Sequence, residues 1–216
     1  MNATPTPPQV LALLDDAAAA RTLLELSAAL ARLMQRELAV VYVESQHALH
    51  AAALPFAQVL PPQAQQWRTL QPGEIEQGFK AQAARLRELS ARIALREAVH
   101  CTLRVTRGSL DQMAAELQAE SDLLLLAASA PFRALAAAPQ ARRAPLLVLL
   151  RDGGEAGARA QRVAAQLAQA LHAVLEPVQR ALLDQAAPRA ELLVAPRGAL
   201  DARQLARLRC PVLLVG

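Results

Sequence analysis

The sequence predicts an α/β fold, a parallel sheet wound on both faces by helices. Three observations carry the prediction. Short, wholly apolar runs alternate with long amphipathic patterns along the 216 residues. The runs are continuous rather than alternating, as in strands buried on both faces. Rings make up 2% of the chain while 54% is hydrophobic, so the core is built from Ala, Leu and Val. Side chains of that size suit helices packed closely on a sheet.

Val10–Leu14 is the first apolar run and ends in Asp15-Asp16. Ala17–Gln35 follows as a helix, with Leu23, Leu26, Leu30, Leu33 and Met34 at helical spacing. Glu37–Glu44 is valine-rich and reads as a buried strand. Gly78–Val99 is helical again, with Phe79, Ala83, Leu86, Leu89 and Ile93 on one face. His100–Thr106 is a strand closed by Arg107-Gly108. Ser109 and Gln112 then form a capping-box pattern that starts a helix through Glu120. Asp122–Ala127 is a fully apolar strand after its first residue.

Two stretches interrupt this alternation. Gln46–Gln77 is a long connection with four prolines, and long connections are often functional. Within it, Ala48–Leu60 reads as an amphipathic lid laying Leu49, Leu54, Phe56 and Val59 over the sheet or a partner. Ala130–Ala144 is alanine-rich with Pro131 and Pro139, a linker or weak helix.

The pattern then restarts. Pro145–Leu150, Val174–Val178, Glu191–Ala195 and Cys210–Val215 read as strands, and Glu155–His172, Gln179–Ala187 and Ala199–Arg209 as helices. This is an internal repeat: Asp15 falls on Asp152, Leu30 on Leu167 and Ala31 on Ala168 at one offset. Residues 1–143 are expected to form a full α/β domain with an insertion at 46–78, and 144–216 a shortened second repeat packed on it. Pro145–Leu150 resembles both a last strand and a first strand, so its sheet position stays open.

Charge and targeting narrow the class. The formal charge is +4, almost all of it from arginine mixed with Glu and Asp, with Lys80 the only lysine. No aromatic residues interleave with the arginines to stack bases, so no nucleic-acid partner is expected. The polar, proline-rich Met1–Gln9 is not a signal peptide, and no apolar run reaches the ~18 residues of a membrane span. A cytoplasmic protein with no membrane partner is the expectation. Cys101 and Cys210 lie in apolar runs and read as buried reduced thiols.

No reaction centre assembles from the residues. His47 and His50 lack a third ligand nearby, so no metal site is expected. Ser27, Ser109 and Ser129 lack a nucleophile elbow. His100 and Cys101 are adjacent on a strand and face opposite ways. Asp111, Glu116 and Asp122 read as solvated charges or caps. Asp15 and Asp152 sit where ligands of such sheets bind, outside the strand carboxyl ends. Each is either a ribose contact or a cap on the following helix.

The order and spacing of these motifs resemble the universal stress protein family. The matching residues are Leu11–Asp15, the helix through Leu33, LAVVYVE at Leu38–Glu44, VTRG at Val105–Gly108, SDLLLLAAS at Ser121–Ser129 and CPVLLVG at Cys210–Gly216. The resemblance implies a Rossmann-like doubly wound sheet of order 3-2-1-4-5 in the first repeat, in a tandem degenerate repeat or a dimer. It implies an adenine-nucleotide crevice, ATP or AMP, with Asp15, Val43, Gly108, Ser129 and Asp152 as binding positions. The family places a glycine-rich phosphate cradle after its fourth strand, but Ala127–Pro145 contains no glycine. Glycines there let backbone amides approach phosphates closely. The implied nucleotide site is therefore degenerate, and any nucleotide binding weak. The expected role is non-enzymatic: a stress-response binding or regulatory protein acting on a protein partner, on itself or on a small ligand. The alternative is a nucleotide sensor or enzyme using the Asp15 crevice. A third reading is an interaction scaffold that dimerises through its helix faces or its final strand Cys210–Val215, an edge unless something pairs with it.

Overall fold

Strands that are apolar at every position need cover on both faces, and the chain supplies it. The computed structural model describes residues 9–16, 20–60, 66–127 and 144–216. The first half runs β1 (Gln9–Leu14), α1 (Ala20–Leu33), β2 (Glu37–Ser45), α2 (Gln46–Ala52), β3 (Gln58–Val59), β4 (Arg68–Thr69), α3 (Pro72–Glu97), β5 (Cys101–Gly108), α4 (Leu110–Glu120) and β6 (Leu123–Leu126). The second runs β7 (Leu146–Leu150), α5 (Gly154–Ala170), β8 (Val174–Val178), α6 (Leu183–Ala186), β9 (Leu192–Pro196), α7 (Ala202–Arg207) and β10 (Val212–Val215). The alanine-rich Ala130–Ala144 reading falls at 128–143, outside the described residues, apart from its last residue.

Eight strands form one Rossmann-like sheet in the order β5-β2-β1-β6-β10-β9-β7-β8, and a separate two-stranded ribbon joins β3 to β4. Every neighbouring pair of the large sheet is parallel except β6 with β10. The first half thus lays its strands in the order 3-2-1-4. The fifth place beside β6 is taken by β10, the last strand of the chain, running antiparallel. Leu146–Leu150 pairs with β8 and β9, which places it as the first strand of the second half. Cys210–Val215 is not an edge, so dimerisation through it is corrected: β10 is paired on both sides, between β6 and β9. A strand that apolar needs partners on both sides, and Val212–Val215 is buried throughout.

The actual edges are blunted. β5 exposes Arg104 and Arg107, and β8 carries Glu176 and Pro177. Charge and a missing N–H both discourage another strand from adding there.

Strand alternation divides the core into two layers. One face packs Val10, Leu14, Leu125 and Leu213 against α1, α3 and α5. The repeat equivalents Leu30, Ala31, Leu167 and Ala168 all lie in this layer. The other face packs Leu13, Val43, Leu126 and Leu214 against α4 and α6.

Two boundaries differ from the sequence reading. α3 begins at Pro72 rather than Gly78. Proline at the first helical position has its φ preset and lacks only a donor that has no helical partner there, so Pro72-Gly73 opens a helix instead of extending a loop. α3 then ends on Ala98 in the left-handed region, with φ of 54°. The reading of the lid as packed over the sheet is also corrected. α2 covers only Gln46–Ala52, and Leu54 and Phe56 face solvent rather than lying over the sheet. The thiol reading is refined: Cys210 is buried, whereas Cys101 is only half-buried, and both are free.

Leu213 is fully buried and pairs with Leu125 across the antiparallel junction. Leu213→Ala is expected to cost about 2–5 kcal/mol. Because β10 is shared, the loss is expected in a single cooperative urea transition, read by circular dichroism; two resolved transitions would contradict a shared core.

Candidate functional site

Ligands of wound α/β sheets bind outside the strand carboxyl ends. In the first half that end carries a cavity of about 210 Å3. β1 contributes Asp15, the end of β2 contributes Val43 and Ser45, and His47 enters from the first turn of α2. The turn from β5 into α4 contributes Gly108, Ser109, Leu110 and Asp111. Of the predicted positions, Asp15, Val43 and Gly108 therefore meet in one cavity. Ser129 lies outside the described residues.

Local structure explains most of these placements. Ser45 caps α2, its Oγ accepting from the Ala48 N–H at 3.3 Å. Ser109 caps α4 in the same way, accepting from Gln112 N–H at 3.2 Å. The expected box is half made, because the Gln112 side chain donates instead to Glu116 at 3.0 Å. Both hydroxyls are thus engaged in holding helix ends. Gly108 is not in the left-handed region, and a methyl there would meet nothing closer than Met113 Cγ at 4.0 Å. Its backbone does not demand glycine.

The cavity is acidic. Asp15 is exposed at its mouth, yet its carboxyl is held above the ordinary 3.8. Partial desolvation in the crevice is the main cause; a backbone hydrogen bond opposes it, and the Asp16 and Asp111 carboxylates add to it. Behind the cavity wall, Glu44 is nearly buried and accepts from Arg107 Nε at 2.9 Å. Tyr42 is fully buried and donates to Gln82 Oε1 at 2.5 Å. Burial pushes its phenol up to about 12, helped by Glu44, Asp15 and Asp16.

Asp111 and His47 line the cavity, although the sequence reading made the first a solvated charge or cap and the second a weak metal candidate. The signal for Asp111 was available: a capping serine right after the turn at Gly108 puts the first helical turn, and its acid, at the sheet's ligand end. Among the described residues, no three His, Cys, Asp or Glu side chains come together as a metal-ligand set. The other serines and acids are held structurally. Ser27 donates to Leu23 O at 2.7 Å, and Asp122 pairs with Arg36 at 3.6 Å.

Asp152 is elsewhere. β6 and β10 are antiparallel, so the carboxyl end of β7 lies at the opposite end of the sheet from that of β1. Asp152 accepts from the Gly153 N–H at 2.9 Å. It does not cap α5, because the residue in the cap position is Gly153, without a side-chain bond. The helix sits hard against it: a Cβ on Gly157 would lie 2.1 Å from Asp152 O. Nearby, Arg197 donates to Ser121 O and Arg180 to Ala199 O, tying the second half's turns to main-chain carbonyls.

Two pH effects follow. The Asp15 carboxyl titrates higher folded than unfolded, so its contribution favours the fold fully below 3.8 and is lost as pH rises through the folded value. Asp15→Asn should therefore raise the melting temperature at neutral pH, with the gain shrinking in acid, as scanning calorimetry at both pH values will read. Tyr42 also binds its proton more tightly when folded. The wild type should lose about 2–3 kcal/mol as pH climbs from 10 to about 12. Tyr42→Phe should flatten that alkaline limb in urea titrations.

Comparison with known proteins bears on the fold. No protein-family model matches the chain, and no curated protein matches it in sequence. Among solved structures, the chain is similar to a universal stress protein from Archaeoglobus fulgidus DSM 4304. The likeness covers 96% of this chain and 95% of that one, with a TM-score of 0.51 and 9% identity. At that identity it is the fold, along nearly the whole length of both chains, that the two proteins share.

Proposed function

We propose that the chain is a non-enzymatic protein of the universal stress type, with a regulatory role exercised through a small ligand or a protein partner. The Asp15 crevice is its ligand site, and its ATP-binding character is degenerate. The observation that carries this is the charge of the cavity. Among the described residues, Asp15 and Asp111 line it, Asp16 adjoins it, and no Arg or Lys is in its lining. A triphosphate seated there would meet carboxylates at short range, where like charges cost most. The glycine-free stretch from Ala127 to Pro145 supports the same reading, since it offers no close-approach backbone for phosphates. A ribose or similar hydroxyl-bearing group suits Asp15, because a carboxylate accepts such hydrogens well. The capping role of Ser45 and Ser109 favours binding over nucleophilic chemistry.

Calorimetric titration with adenosine, AMP and ATP tests the proposal on the wild type, Asp15→Ala and Asp152→Ala. Adenosine is expected to bind at least about tenfold more tightly than ATP, a gap of about 1.4 kcal/mol. Asp15→Ala should abolish that binding and Asp152→Ala should leave it intact. ATP binding tighter than adenosine, or Asp15-dependent phosphate release, would overturn the reading in favour of a nucleotide sensor or enzyme.

A further inference from the structure

The seam between the two halves carries a cavity of about 270 Å3. Leu123 and Val215 line it, and they are partners at one end of the β6–β10 ladder. Leu123 also pairs with Val10 near the start of β1, so the cavity lies at the far end of the sheet from Asp15. Arg36 reaches it from the link between α1 and β2, Asp122 from the turn before β6, and Arg159 and Arg162 from α5. Both halves therefore build it. Two of its arginines already meet a carboxylate. Arg36 Nη1 lies 3.6 Å from Asp122 Oδ2, and Arg159 Nη2 lies 3.4 Å from Glu155 Oε1. Arg159 also donates through Nη1 to Gly216 O at 2.6 Å. Arg162 is exposed and enters no ion pair among the described residues. Arg197, close by, is outside the lining and donates to Ser121 O. Three lining arginines against Asp122 and Glu155 leave one positive charge in excess. A hydrogen-bond donor is unmet as well. At 3.6 Å the Asp122 carboxylate attracts Arg36 without accepting from it. Arg36 Nη1 is buried and has no hydrogen-bond partner among the described residues. A charged donor in that state is costly until an acceptor meets it.

We propose that this seam cavity binds an organic monoanion, a carboxylate carried on a short apolar chain. Three features select that ligand. The excess of one arginine sets the charge it must bring. The unmet donor on Arg36 sets the group, because the forked N–H donors of a guanidinium match the two oxygens of a carboxylate. The remaining lining sets the body. Met34, Leu123, Val163 and Val215 are apolar, and they gain from covering methylenes rather than a bare ion. A phosphate dianion would bring one charge more than the lining balances and no apolar part to meet that wall. The cavity is independent of the Asp15 crevice and includes neither Asp15 nor Asp152, so the outcome of nucleoside titrations does not bear on it.

Equilibrium dialysis of the full chain against labelled hexanoate tests this. The wild type is expected to retain one equivalent at saturation. Unlabelled acetate, hexanol and inorganic phosphate should each compete at least about tenfold less well than unlabelled hexanoate. Acetate lacks the body, hexanol lacks the charge, and phosphate carries the wrong valence. Arg162→Gln alters an exposed side chain, so it should fold normally by circular dichroism and weaken retention at least about tenfold. Arg36→Lys keeps the charge but removes the forked donors, and should weaken retention to a similar degree. Asp15→Ala should retain hexanoate as the wild type does. The proposal is overturned by a wild type that retains none, by full retention in either arginine variant, or by phosphate competing better than hexanoate. Loss of retention in Asp15→Ala would overturn it too, by placing the anion in the crevice.

Discussion

The short antiparallel ladder between β6 and β10 governs the rest of the molecule. It joins Leu123–Leu126 to Val212–Val215, two four-residue runs buried at every position. Neither run tolerates an open edge, because an apolar strand with unpaired amides on one side invites association. Pairing them removes both edges at once. It also welds two four-strand halves, the second of them shorter in sequence. Each half alone would leave one of these strands uncovered, so the continuous two-layer core is a consequence of the ladder rather than a separate feature.

Direction follows from the same contact. Antiparallel pairing reverses the second half relative to the first, and the two ligand ends point opposite ways. Asp15 and Asp152 are equivalent in the repeat but never share a site. Their surroundings have also diverged. The first end opens into a cavity bordered by acids. At the second, α5 presses on the Asp152 carbonyl so closely that only glycine fits at 157. The aspartate there spends its side chain on the adjacent N–H.

What was legible in the sequence divides along local and non-local lines. The strands were readable because runs such as LLLL at Leu123–Leu126 are apolar at consecutive positions, a pattern that needs no knowledge of the partner. The repeat, the capping serine at 109 and the position of Asp15 at a strand end were readable for the same reason. The inner position of β10 was not, since pairing direction between segments some ninety residues apart leaves no local mark. The start of α3 was missed because Pro72-Gly73 is ambiguous between turn and first helical residue. Of the candidate site, Asp15, Val43 and Gly108 converge as their strand positions imply. Asp111 was overlooked because an acid in a first helical turn is stabilised there whatever it faces.

The acid crowding around Asp15 carries a stability cost that fits the proposed ligand site better than a purely structural role. Its carboxyl is pushed toward the neutral form by desolvation and by two neighbouring carboxylates, so at neutral pH its ionised form works against the fold. A residue serving only the fold would be better as asparagine, which can accept the same kinds of hydrogen bond without the charge. Local rules are broken in this way where a site needs a group that stability would not choose. Tyr42 points the same way. It places a neutral, buried phenol behind the acids, held by Gln82, and the acids raise its affinity for its proton. The Glu44 carboxylate, also behind the crevice, is paired with Arg107. The Asp15 and Asp111 carboxyls line the cavity in front of them.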